Sequence, residues 1–304
     1  MHVKKISSLI VLLSTNVYAE GFSSSVGGDY STGKYGSSES TNVFYLPFGV
    51  AYDSGAFTYR LTIPYIRVTG SGDIVPGGFG GASAGGGSGG GGSSIGQFGC
   101  AGDSRKGAIK PEDNGVCGAV AATPTTGGTG GGTTTPTTRK RSTESGLGDI
   151  VASINYNVVD QEDTSGWIVD LNGRIKFGTA SESRGLGSGE TDYALGVNVD
   201  KYFGAPYVSV GLGYKVLGEP RGVKYDNVVY GALGGGYKFS KDTSMGVSYD
   251  WATAAVNGAV RPQEVSVYAS HRINNNYKIS GVIYTGLSDA SSDFGAGLTL
   301  NYYF

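Results

Sequence analysis

The residues whose side chains could most readily take part in catalysis or bind a metal are one histidine and two cysteines. If residues 1–19 are removed, as argued below, His271 is the only imidazole left in the chain. Hydrolysis by a serine nucleophile needs a histidine together with a polar group that orients it, but the alternation of residues puts His271 on an apolar face with Val267 and Ala269. One histidine and two cysteines also cannot build a usual metal site. We therefore expect no enzyme activity, no metal and no cofactor, and interpret His271 as a residue at a membrane interface.

Charged residues recur at alternate positions of apolar segments, and this spacing predicts a charged passage. Within residues 167–177, Asp170, Arg174 and Lys176 share one face, because successive side chains of a strand point to opposite sides. A cationic side chain facing lipid at the membrane midplane costs about 2–4 kcal/mol, so the charged faces should line an interior. The candidates for the lining of this lumen are Arg60, Asp149, Asp170, Arg174, Lys176, Asp192, Lys215, Lys238, Asp250 and Glu264. They indicate either a wet channel wall or a set of paired ions that fill a narrow barrel.

The elements that must position these charges are strands of about ten residues, the length of a tilted membrane strand. Twelve segments show the alternation: 22–31, 40–52, 57–66, 149–158, 167–177, 192–203, 208–216, 229–239, 244–251, 264–270, 277–283 and 293–304. Every second connection is short, as the periplasmic turns of outer-membrane barrels are. The pattern predicts an all-β fold, a transmembrane antiparallel up-and-down β-barrel of about twelve strands.

A soluble β-sandwich is the alternative fold, but it would bury the aromatic side chains in a core. The sequence instead places aromatic residues at both ends of the segments, among them Tyr207 at a periplasmic end, as the two interfacial belts of a membrane barrel require. Pro47 and Pro64 fit poorly, because each falls inside a strand and lacks the N–H that the ladder needs. We expect bulges at these positions, or strand ends other than those given above.

The two ends of the chain predict export and membrane assembly. Lys4 and Lys5, the apolar run 9–13 and the small residues of 17–19 form a signal peptide over residues 1–19, which leaves 20–304 as the barrel. Without this peptide the chain carries 21 basic and 25 acidic residues, a balance that argues against nucleic acid as a partner. Tyr302 and Phe304 end the last strand with aromatic rings, which resembles the signal that the barrel-assembly machinery of the bacterial outer membrane reads.

Residues 69–145 form one long connection rich in Gly, Ser and Thr, which we expect on the extracellular side. Such a composition buries too little apolar surface to offset chain entropy. The loop could cover the mouth, fold into the lumen, or be an inert insertion. Cys100 and Cys117 lie within it, and in an oxidising compartment two cysteines without a C-x-x-C spacing predict a disulfide rather than free thiols or a metal pair.

Three short motifs carry a family resemblance: Tyr30–Gly36, Pro64–Gly70 and Gly146–Ile150. Their order resembles the transporter-like outer-membrane barrels of the putative MetA-pathway of phenol degradation family. The resemblance implies a bacterial outer-membrane location, with lipid around the barrel and a small-molecule solute as its partner. It also implies a channel or transporter for diffusion or uptake of small solutes, with aromatic or hydrophobic compounds as candidates. The Gly-rich insertion departs from this pattern, so the resemblance does not extend to the properties of the pore.

Two functions from different classes therefore remain. One is a channel for small solutes. The other is a structural or surface-interaction barrel without a conducting pore, with the segment 69–145 as the interacting part. Conductance in planar bilayers separates them. The sequence leaves the oligomeric state open.

Overall fold

The computed structural model describes residues 21–35, 39–70, 142–161, 165–219, 225–255 and 259–304, and in these ranges the chain is almost entirely β-strand. The strands are β1 (Gly21–Gly33), β2 (Thr41–Ser54), β3 (Phe57–Gly70), β4 (Ser142–Leu147), β5 (Ile150–Gln161), β6 (Trp167–Phe177), β7 (Asp192–Tyr202), β8 (Pro206–Val216), β9 (Val228–Lys238), β10 (Thr243–Ala252), β11 (Gln263–Arg272), β12 (Tyr277–Gly286) and β13 (Phe294–Tyr303). One short 3-10 turn, Glu182–Arg184, precedes β7. No helix of the described residues is long and apolar enough to cross a membrane.

The strands close into a barrel of twelve antiparallel positions plus one extra strand. β1 pairs with both β2 and β13, and β2 also pairs with β3, which joins the ends of the sheet. β4 and β5 pair with the upper and lower parts of β3, so they share one position in the ring. The predicted fold class is confirmed. Both ends of the predicted loop 69–145 belong to paired strands in the structure, because β3 runs to Gly70 and β4 begins at Ser142.

Burial alternates along the strands in the reverse sense of a soluble protein. In β3, Leu61 is 45% exposed on the outside of the barrel, while its neighbour Arg60 is 8% exposed on the inside. The other strands repeat this arrangement of apolar outside and polar inside over most of their length. An apolar outer band around a polar interior is stable when hydrocarbon surrounds it.

Pro47 and Pro64 are accommodated by gaps in the hydrogen-bond ladders rather than by a bulge between their own strands. The two prolines lie directly opposite each other in the continuous register of β2 and β3. The β1–β2 ladder is interrupted opposite Pro47, between Val26 and Asp29. Pro64 lies at the break between β4 and β5, where its carbonyl accepts a bond from the Gly148 N–H at 2.9 Å. Each proline, which lacks an N–H donor, therefore lies where the ladder with the neighbouring strand is interrupted.

Glycines inside the strands lie opposite tyrosines that lean across the inner wall. The directly opposed pairs are Tyr207 with Gly236, Tyr230 with Gly213, Tyr268 with Gly246, and Tyr284 with Gly295. In each pair, a Cβ added to the glycine would overlap the tyrosine ring. A ring packed over a glycine restores the contact area that the glycine lacks. Part of the glycine content of this chain is thus a packing requirement of the barrel wall.

Aromatic side chains surround both ends of the outer surface, with one correction to the sequence-based expectation. Trp167 and Phe203 are exposed at the periplasmic ends of their strands, and Phe177 and Tyr193 at the outer ends. Tyr207 was expected in the periplasmic belt but is buried inside the barrel. The reason is parity: β8 begins at Pro206, so Tyr207 shares the inward face with Ser209 rather than the outward face with Val208.

The C-terminal aromatic residues lie on the outer surface at the seam that closes the barrel. Phe304 is 57% exposed, its ring packs edge-on against that of Tyr302 at 4.9 Å, and its N–H donates to the Phe22 carbonyl at 3.1 Å. An exposed ring adds little to the packing of the folded barrel. The assembly-signal role of Tyr302 and Phe304 remains a prediction.

Deletion of Phe304 should lower the amount of assembled protein several-fold while changing the unfolding free energy of the purified barrel by less than about 1 kcal/mol. The measurement is the heat-modifiable fraction in outer-membrane extracts, compared with urea unfolding of refolded protein. Deletion of the exposed Phe239 ring, as Phe239→Ala, is the control for loss of a surface aromatic residue. Wild-type levels of the assembled Phe304 deletion would contradict the assembly role.

Candidate functional site

Most of the residues that were predicted to line the lumen are buried in the structure. Nine of the ten are buried, namely Arg60, Asp149, Asp170, Arg174, Lys176, Asp192, Lys215, Asp250 and Glu264. Lys238 is half-buried near the periplasmic end of β9. They come from seven strands and from the break between β4 and β5, so the charges are distributed around the wall rather than gathered at one point.

Lys176 is the centre of an ion-pair cluster at the outer end of the lumen. Its Nζ lies 3.2 Å from Asp149 Oδ2 and 3.0 Å from Asp192 Oδ2, and it donates to Ser188 Oγ at 2.8 Å. All three charged side chains are at most 5% exposed. A buried ammonium group needs this degree of compensation, because taking it out of water is costly.

Halfway down the wall, Asp170 holds two carboxamides from the neighbouring strand. Asn155 Nδ2 and Asn157 Nδ2 donate to Asp170 Oδ1 at 3.1 and 3.0 Å. Asn198 makes a similar bond to Asp200 Oδ2 at 2.9 Å. In each of these bonds a carboxylate oxygen accepts from the amide Nδ2 group, so the carboxylate fixes which side of the amide faces it. The alternation of residues puts these asparagines on the polar faces of their strands, but none of them was among the predicted lining residues.

Tyrosines form the second part of the lining, and the prediction of site residues missed them. Tyr207 and Tyr268 join through their hydroxyl groups at 3.1 Å, and Tyr284 donates to Asp29 Oδ1 at 2.9 Å. Near the periplasmic end, Lys238 Nζ lies 4.1 Å from the ring centre of Tyr202, a distance typical of a cation–π contact. Residue parity within each strand is the signal that could have identified them.

Connections at the outer end also pack inward. The Tyr35 hydroxyl bonds to Ser292 Oγ at 2.9 Å and links the β1–β2 connection to the β12–β13 connection. Burial raises the pKa of Tyr35 to about 12. This hydroxyl therefore stays protonated throughout the physiological pH range, and the link does not depend on pH there.

Several predicted features fall elsewhere. His271 is exposed on the outside, and its Nδ1 lies 2.9 Å from Thr243 Oγ1. Cys100, Cys117, the signal peptide 1–19 and nearly all of the segment 69–145 lie outside the described residues. Within the residues that the structure describes, no group of three or more His, Cys, Asp or Glu side chains could hold a metal ion.

Comparison with known proteins gives one family and several similar folds. The family model described as "Putative MetA-pathway of phenol degradation" matches residues 113–304. The crystal structure of an outer membrane channel from Pseudomonas putida F1 is similar at a TM-score of 0.60 and 12% identity, covering 95% of this chain and 97% of that chain. The KdgM porin (TM-score 0.45, 8% identity, 92% and 99% covered) and the P. putida toluene transporter TodX (0.40, 10%, 93% and 90%) are more distant. No curated protein matches this chain significantly.

Proposed function

Because this chain belongs to the putative MetA-pathway of phenol degradation family, we propose that it is a narrow outer-membrane channel for diffusion or uptake of small solutes. The observation that carries this proposal is a closed barrel with an apolar outer surface and an interior lined by charges, carboxamides and tyrosines. A polar interior of this kind is typical of membrane barrels that conduct or bind solutes.

The lining favours small uncharged solutes over ions of one sign. Acids and bases are interleaved along the wall, as in the cluster of Lys176, Asp149 and Asp192, so no broad field of a single sign develops. Tyrosine rings add apolar surface between the charges. Aromatic or hydrophobic compounds are the solutes that we propose, in keeping with the description of the family.

Conductance of the refolded protein in planar lipid bilayers tests the proposal. We expect discrete single-channel steps smaller than those of the wide general porins, because twelve strands enclose a narrower lumen than sixteen to eighteen do. Heat-modifiable mobility on gels controls for folding. Folded protein that conducts neither ions nor uncharged solutes in vesicle assays would exclude a channel.

A structural or surface-interaction barrel without a pore is the second candidate. The observation in its favour is the burial of Lys215 at 2% exposure and of Glu264 at 0%, since side chains this inaccessible leave little room for solvent. In this case the charges would stabilise a filled barrel rather than select solutes. The two candidates predict different outcomes when a charge is removed.

Arg174→Gln should shift the reversal potential toward cations if the lumen conducts, because a buried positive charge leaves the wall. We expect the preference for cations over anions to change by up to about tenfold. The measurement is the reversal potential in a KCl gradient, with Arg261→Gln in the β10–β11 connection as an exposed control. A shift of the same size in the control would attribute the effect to surface charge rather than to the lumen.

A further inference from the structure

The connection between β6 and β7, residues 178–191, folds into the outer end of the barrel. Leu186, at 2% exposure, and Ala180 pack in one cluster with inward side chains of β2 and β3, which are Val43, Tyr45, Ile66 and Val68. The position of β4 and β5 separates β6 from β3. To reach the inner faces of β2 and β3, this segment must cross inside the wall, and it is called the cap below.

Side chains of the lumen wall hold the cap at both ends. Asp149 Oδ1 accepts a hydrogen bond from the Ala180 N–H at 2.8 Å, and Lys176 Nζ donates to Ser188 Oγ at 2.8 Å. Lys176 also pairs with Asp149. The charged cluster therefore also has a structural role, because it anchors the beginning and the end of the cap.

The cap can pack this closely against Asp149 because residue 187 is a glycine and has no side chain. A Cβ on Gly187 would lie 2.6 Å from the Ala180 Cβ and 2.7 Å from Asp149 Oδ2. Both distances are shorter than van der Waals contact allows. A larger residue at 187 would therefore push the cap away from Asp149 without changing any charge.

A second outer connection is joined to the cap. Asp192, which follows the cap directly, accepts a bond from the Gly218 N–H at 2.9 Å. Gly218 lies so close to Glu190 and Thr191 that a Cβ there would meet both residues. Leu217 and Tyr225 of this connection pack against a further inward cluster around Tyr230. The cap and this second connection are therefore in direct contact.

We propose that the cap is the element that closes the outer end of the lumen, and that its displacement opens the passage. The proposal rests on the channel function above and adds its regulation. The contact between the cap and the wall around Leu186 is apolar, so the closed position forms an apolar constriction there. Ions cross an apolar constriction poorly, because they lose hydration there without gaining ligands. A small apolar or aromatic solute has no such hydration to lose when it passes the displaced cap, so this entrance favours such solutes over ions.

Two variants test the cap in planar bilayers. In the first, residues 181–188 are replaced by two glycines. In the second, Gly187→Val displaces the cap by steric overlap. Both should raise the mean single-channel conductance at least about twofold, and closed intervals should become shorter, because an apolar barrier to ions has been removed. Gly28→Val is the matched control, because a Cβ at Gly28 has its nearest neighbour at an ordinary 3.6 Å and lies on β1, away from the cap.

The outcomes separate the two proposals. Equal conductance in wild type, Gly28→Val and both cap variants would overturn the cap as the closing element while leaving the channel intact. Absence of conductance in every protein, with folding shown by heat-modifiable mobility, would contradict the channel function itself. If Gly187→Val does not fold, the loop replacement decides alone, because it removes the overlapping segment.

Discussion

Gly295→Ala is expected to destabilise the barrel by about 3 kcal/mol, at the upper end of the usual cost of overpacking. The added methyl group would overlap the ring of Tyr284 directly across the β12–β13 pair. The ring cannot move away cheaply, because the Tyr284 hydroxyl donates to the buried Asp29. Displacing it would leave a carboxylate oxygen in the interior without this donor, which adds a desolvation cost.

Urea unfolding in lipid vesicles measures the effect, and two further variants make it specific. Gly281→Ala on the neighbouring strand is the control, since the nearest atoms to its Cβ lie 3.7 Å away and the change should be close to neutral. The double variant Gly295→Ala/Tyr284→Ala should lose less than the sum of the two single changes, because it relieves the overlap. Equal stability of Gly295→Ala and Gly281→Ala would contradict the packing role of the glycine.

Lys176→Met is expected to destabilise the folded protein by about 3–5 kcal/mol, the usual cost of removing one member of a buried ion pair. Asp149 and Asp192 would remain buried next to each other without the ammonium group that lies within 3.2 Å of both. Methionine fills a similar volume, so the loss is electrostatic rather than a cavity effect.

Thermal or urea unfolding measures this change, and Lys241→Met in the exposed β9–β10 turn serves as the control with a small expected effect. The double variant Lys176→Met/Asp149→Asn should recover much of the loss, since Asp192, the acid that remains, still has the buried Lys215 as a countercharge. A Lys176→Met protein as stable as Lys241→Met would show that the cluster is hydrated and that the charges are worth little to the fold.

Much of this molecule follows from a local property of the sequence. A strand has a period of two, so the alternation around Asp170, Arg174 and Lys176 is enough to place these residues inside and their apolar neighbours outside. The same local rule yields the twelve positions of the barrel, but not the extra strand that divides one of them into β4 and β5. Tyr207 was missed because the predicted segment began at residue 208, two residues after the start of β8, so the alternation was not applied to it.

Only the tertiary structure determined which residues of different strands and loops lie opposite each other. The division of one barrel position into β4 and β5 beside Pro64, the packing of Tyr284 over Gly295, and the insertion of Leu186 among side chains of β2 and β3 all join residues that are distant in the chain. Such contacts depend on the register between strands and on the path of a loop across a closed wall. Periodicity along a single strand carries no information about either, because every register that shifts by two residues preserves the same faces.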